Sequence, residues 1–153
     1  MPNLYWDKLN PLQVGKYAEY YAKMEFASYG FDVYTSEVDD KGIDFIVKSS
    51  KGIFYEVQVK SLRNGGYIFI PKDKMDIHNE RFLVCFISFV NSEFPTVYLI
   101  PTGAWKKPNA AFVSRDYEKE GQKSKPEWGM NFSNKNKKIL DEYKIEQSIK
   151  SLL

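Results

Sequence analysis

Apolar and polar positions along the chain switch between helical and strand-like spacing. "NPLQVGKYAEYYAKMEFASYG" reads as a helix, with Asn10 as cap, Pro11 in the first turn and Gly30 as the left-handed stop. "FDVYTSEV" then alternates with period two, and the acidic turn "DDKG" follows. "IDFIVKS" and "IFYEVQVKSL" predict two strands joined by "SKG" in a tight hairpin. "NGG" turns the chain into "YIFIP", and "KDKMDIHNE" fits a short helix or a loop. "RFLVCFISFV" is nearly continuous and apolar, as an interior strand should be, with "TVYLIPTGAW" as its partner across "NSEFP". Residues 106–137 are polar and predict loops with one strand at "AAFVS". "KKILDEYKIEQSIKSLL" predicts a closing amphipathic helix, with Ile139, Tyr143, Ile145, Ile149 and Leu152 on one side. Without a repeat or linker, this order predicts one mixed α/β or α+β domain over residues 1–153.

Composition narrows the function classes only a little. With 43% hydrophobic and 16% aromatic residues among 153, the chain belongs with folded proteins rather than disordered tails. A net charge of +2 gives no strong sign of a polyanionic partner, although the balance shifts from −2 over residues 1–60 to +4 beyond. The single cysteine, Cys85, excludes an intramolecular disulfide and a CxxC zinc site and reads as a buried apolar residue. No apolar run reaches the length of a membrane span, and "MPNLYWDKLN" has no signal-peptide pattern, so a cytoplasmic location without membrane contact is expected.

The hairpin carries the candidate chemistry. Alternation sends Glu56, Gln58 and Lys60 to one face of their strand and Tyr55, Val57 and Val59 to the other. A hairpin turning near Ser50 sets Asp44 beside the segment from Val57 to Lys60, making it a cross-strand neighbour of Gln58 or Lys60. Asp44, the Gln58 side chain and the Val59 carbonyl supply the oxygens that a hard divalent cation prefers. Lys60 can stabilise charge developing on a phosphate or orient water. Glu19 shares a helical stripe with Gly15, Ala22 and Phe26, and a buried carboxylate there needs a metal, a lysine or a donor, with Lys60 a candidate. Glu25 is the competing helix acid, nearer Tyr21 and Tyr29.

Glu19, then "GIDFIV" with Asp44, then "YEVQVKS" with Gln58 and Lys60 resembles the PD-(D/E)XK nuclease superfamily over residues 11–63. The QxK spacing is similar to the branch that includes intron-encoded homing endonucleases and resembles Holliday-junction resolvases. "YIFIPKDKMDI", "LVCFISF" and "VYLIPTGAW" also look like the tail of small bacterial members. The resemblance implies a restriction-endonuclease-like fold with an αβββαβ core, Mg²⁺ or Mn²⁺ as cofactor and DNA as substrate. It implies Asp44 as metal ligand, Gln58 as second-motif ligand, Lys60 as catalytic lysine and Glu19 as helix acid, with a homodimer as the usual assembly. The family normally places Asp or Glu where this chain has Gln58, and Glu56, one same-face step away, is the secondary candidate.

Blander readings stand beside this one. A Glu-x-Gln-x-Lys strand is ordinarily the solvated face of an amphipathic sheet. Gln58 also suits a nuclease fold that has lost catalysis and binds nucleic acid or protein. His78, in "MDIHNE", reads as a surface or capping residue. The lysines of residues 106–138, interleaved with Trp105, Tyr117, Trp128 and Phe132, could meet phosphates and bases. Interrupting acids favour a solvated loop, and Trp105 fits the edge of the core.

Overall fold

Helix α1 (Pro11–Ser28) begins at a reciprocal cap, in which the Gln13 N–H donates to the Asn10 side chain and the Asn10 N–H to that of Gln13, both at 2.9 Å. It ends before Gly30, whose φ of +86° suits a residue without a Cβ. The structure, a computed structural model, describes residues 1–37 and 42–153; the "DDKG" turn, apart from Gly42, lies outside the described residues.

Strands β1 (Asp32–Thr35), β2 (Phe45–Lys48) and β3 (Phe54–Arg63) form an antiparallel meander. After β3 the chain leaves this sheet as β4 (Gly66–Pro71) and a 3-10 turn at Lys72–Lys74, then returns as β5 (Phe82–Phe89), parallel to β3. Strand β6 (Thr96–Pro101) pairs antiparallel with β5 and completes the order β1-β2-β3-β5-β6. Every residue of β5 is buried, as its unbroken apolar sequence requires. Where the αβββαβ order carries a helix between the two parallel strands, this chain runs through β4 and the 3-10 turn.

Strand β4 joins β7 (Phe112–Arg115) and β8 (Glu127–Phe132) in a second sheet of order β4-β8-β7. The fold is therefore α+β, with a central mixed sheet flanked by helices and covered in part by this smaller sheet. Strand β8 falls where the sequence predicts loop. Gly129 interrupts its pattern because the Tyr67 ring lies over that position, where a Cβ would meet the hydroxyl at 2.0 Å. The Tyr67 hydroxyl makes a short hydrogen bond to the buried Glu127 carboxylate.

The closing helix is broken into α2 (Lys137–Asp141), α3 (Ile145–Ser148) and a 3-10 turn at Ile149–Leu152. Edge strand β6 causes the break by taking backbone partners from it. The Leu99 N–H donates to the Tyr143 carbonyl at 2.8 Å, and Lys144, extended at ψ 138°, bridges to Tyr98.

Two apolar clusters sit on opposite faces of the central sheet. Val14, Ala18, Ala22 and Phe26 of α1 pack on Phe45, Val57, Cys85 and Ile87, joined by Ile145 and Ile149. On the other face, Phe82, Val84 and Phe86 meet Ile68 and Ile70 of β4, Phe112 and Met130, with Trp105 and Leu140. Cys85 is fully buried and burial pushes its thiol well above the usual range, which suits a packing role.

Candidate active site on the second and third strands

The hairpin register sets Phe45 opposite Val57 and Ile46 opposite Glu56, which brings Asp44, just ahead of β2, level with Gln58. The Asp44 N–H donates to the Val57 carbonyl at 2.9 Å. Alternate N–H groups of β3 point to opposite edges: that of Glu56 donates towards Arg81, beside β5, so that of Val59 faces the β2 side. Strand β2 has already ended there, and the Asp44 carboxylate supplies the missing acceptor, taking the Val59 N–H on Oδ2 at 2.7 Å. Gln58 Nε2 donates to the same oxygen at 3.1 Å and to the Val59 carbonyl at 3.3 Å. One amide nitrogen thus stands between a carboxylate oxygen and a backbone carbonyl oxygen.

Glu56, Gln58 and Lys60 lie on the face opposite α1, because Tyr55, Val57 and Val59 belong to the cluster beneath that helix. Lys60 is half-buried, and among the described residues no ion pair or hydrogen bond holds its ammonium. Burial pushes the Lys60 pKa below the usual lysine value, and the Asp44 carboxylate pulls it part of the way back. Glu56 is half-buried one step farther along, opposite Ile46.

Glu19 lies on the α1 side. Its carboxylate pairs with Lys23 at 3.4 Å and Lys16 at 3.7 Å, and the Lys23 ammonium also stands 5.7 Å from the centre of the Phe45 ring. The buried stripe of α1 is Val14, Ala18, Ala22 and Phe26, with Gly15 exposed, so Glu19 flanks the stripe rather than sitting in it. Lysines of its own helix, rather than Lys60, supply its partners. Glu25 is half-buried, and burial together with Glu146 raises its pKa. His78 is exposed, and Trp105 is buried with its indole N–H donating to the Gly129 carbonyl at 2.7 Å.

No protein-family model matches the sequence, and no curated protein resembles it significantly. The fold is similar to that of a solved structure. That structure is the Holliday junction resolvase Hjc of Archaeoglobus fulgidus, at 8% identity and a TM-score of 0.48, over 76% of this chain and 83% of that one.

Lys74 is a neighbour of the site that sequence spacing misses. A Cβ on Gly42 would meet the Lys74 stem at 3.5 Å and Gln58 Oε1 at 3.6 Å, so Lys74 and the Gln58 carbonyl flank the same glycine. Gly42 has a φ of +71°. Only the return of the chain along β4 brings Lys74 there, and no local pattern signals it.

The donor set fits a hard cation only in part. Asp44 Oδ2 and the Val59 carbonyl converge on one point, and Mg²⁺ is commonly held by one or two carboxylates with water completing its shell. The Gln58 NH₂ stands at that point, so a cation can enter once the amide turns. The torsion that turns it is broad and roughly two-fold. Among the described residues, no three His, Cys, Asp or Glu side chains are grouped to share a metal, so one carboxylate carries the charge.

Proposed function

We propose that the protein hydrolyses phosphodiester bonds of DNA with a divalent cation, Mg²⁺ or Mn²⁺, at Asp44, Gln58 and the Val59 carbonyl. The observation that carries this reading is the sharing of Asp44 Oδ2 between the Val59 N–H and the Gln58 amide, beside a half-buried Lys60 that the Asp44 charge attracts. When bound, the cation supplies Lewis-acid stabilisation of charge on the phosphate and acidifies water. The chain supplies the positioning. The Val59 N–H fixes the Asp44 carboxylate, Gln58 turns its amide to present oxygen, and Lys60 offers an ammonium to the phosphate oxygens on the same face. The stem of Lys74 lies beside Gly42, next to Gln58, and its ammonium can reach a neighbouring phosphate. Glu19 stays paired with Lys16 and Lys23 on the α1 side of the sheet, and Glu56 is held in reserve as a second carboxylate. The active form is a homodimer in the cytoplasm, one site for each strand.

A specific observation favours a second reading. The Gln58 NH₂ already satisfies both oxygens that would face a cation, as a fold that binds DNA or a protein without catalysis would have it. Mn²⁺ titration separates the two. Under the first reading Mn²⁺ binds the wild type, and Asp44→Ala removes that binding. DNA affinity without any Mn²⁺ binding supports the second reading.

A further inference from the structure

A cavity of about 1030 Å³ lies away from Asp44 and Gln58. It opens where the Asn64–Gly66 turn, the end of β5, the start of β6 and the end of β8 meet. Ser88 is paired with Leu62 in the β3–β5 register, so the cavity shares the sheet face of Gln58 and Lys60. Its floor lies four residues beyond Lys60 along β3, about 13 Å at the usual strand rise.

Three of its lining residues are more than nine-tenths buried yet hold polar atoms without a partner among the described residues. Ser88 is 5% exposed and Tyr98 2%, and neither hydroxyl makes a hydrogen bond. Asn136 is 8% exposed. Its Nδ2 donates to the Ala110 and Asn131 carbonyls at 3.2 and 3.1 Å, which leaves Oδ1 open. None of these three atoms is sealed from solvent, so each opens into the cavity they line. Three open polar atoms on otherwise buried residues, facing one space, mark a place for a polar ligand or ordered water. Burial, with Asp141 and Glu146, pushes the Tyr98 pKa up to about 12, which keeps its hydroxyl a neutral donor.

The walls narrow the ligand class. Lys137 is exposed and makes no ion pair among the described residues, while Lys144 stands 3.7 Å from Asp141. One carboxylate, Glu93, also lines the space. Tyr98 and Phe132 stand with ring centroids 5.6 Å apart and give the cavity an aromatic side. Cations, amides, hydroxyls and aromatic rings around one space match an anionic planar ligand better than a neutral sugar.

We propose that this cavity binds a nucleotide unit, its base meeting Ser88, Tyr98 and Asn136 and its phosphate meeting Lys137 and Lys144. The choice of a nucleotide rests on the proposed function; the presence of a polar-ligand site rests on the cavity alone. The unit is either a free nucleotide or an unstacked nucleotide of a bound strand.

The test is an NMR titration of the full chain with the four deoxynucleoside monophosphates, and separately with a single-stranded oligonucleotide of about twelve bases. Shifts at Ser88, Tyr98 and Asn136 are expected. Lys137→Ala with Lys144→Ala should weaken binding about tenfold or more, the scale of a lost charge-assisted hydrogen bond, and Ser88→Leu should block it. Response to monophosphates identifies a free nucleotide, and response to the oligonucleotide alone identifies a strand nucleotide. No shift at these residues with either ligand, or binding unchanged in both variants, overturns the proposal. Asp44→Ala should leave the titration intact, so a failed cleavage assay and a failed cavity give different results.

Discussion

Replacing Asp44 by alanine should lower stability as well as activity, and the size of the loss follows from two hydrogen bonds. Asp44 Oδ2 accepts from the Val59 N–H at 2.7 Å and from Gln58 Nε2 at 3.1 Å. The Val59 donor points to an edge where β2 has ended, so alanine leaves it without a chain acceptor. A stranded donor in this part-buried position costs about 1–2 kcal/mol. Gln58 can re-aim its amide towards solvent and adds little. Lys60 loses the carboxylate that offsets its burial, which adds to the cost. The expected total is about 2–3 kcal/mol, or about 5–10 °C in Tm for a chain of this size. Asp44→Asn keeps a neutral acceptor for the Val59 N–H and should lose about half as much. Urea denaturation and thermal unfolding followed by circular dichroism measure both variants without added metal. An Asp44→Ala protein as stable as the wild type, or more stable, would refute the account of how this carboxylate is held.

Lys60→Met should raise stability at neutral pH by about 1 kcal/mol while removing activity, because a half-buried ammonium, only partly offset by Asp44, becomes an apolar side chain. The folded-state pKa is depressed, so between it and the ordinary lysine value the unfolded chain holds more protons. Wild-type stability therefore rises with pH there, and the gap to Lys60→Met should close; a gap constant up to about pH 10 refutes this. Gln58→Glu should cost about 1–3 kcal/mol without metal, since a donor to Asp44 becomes a second carboxylate. Mn²⁺ at about a hundred times its Kd should return about 2.7 kcal/mol, read as a larger Tm rise than in the wild type. Tyr67→Phe should cost about 1–3 kcal/mol by depriving the 6%-exposed Glu127 carboxylate of its hydroxyl donor, and added Glu127→Gln should recover part of that in urea denaturation.

Features whose partners lie nearby in the chain were the legible ones. Asn10, Pro11 and Gly30 mark the first helix, and the short turn at Ser50 fixes a register that makes Asp44 and Gln58 neighbours. The apolar run of β5 marks the middle of a sheet. What was not legible depends on distant partners. Strand β8 is hidden because Gly129 is kept small by Tyr67, and the closing helix breaks because the Leu99 N–H takes the Tyr143 carbonyl. Helical spacing alone could not decide whether Glu19 lay within the buried stripe or beside it. The phase chosen by Val14, Ala18, Ala22 and Phe26 settles it, and Lys16 and Lys23 then take the carboxylate.

Cleavage of labelled duplex, nicked and four-way-junction DNA, with and without Mn²⁺, tests the central claim most directly. The account predicts Mn²⁺-dependent cutting of at least one of these substrates by the wild type, abolished in Asp44→Ala and in Lys60→Ala. Cutting that survives both substitutions, or that proceeds equally in excess chelator, would contradict it.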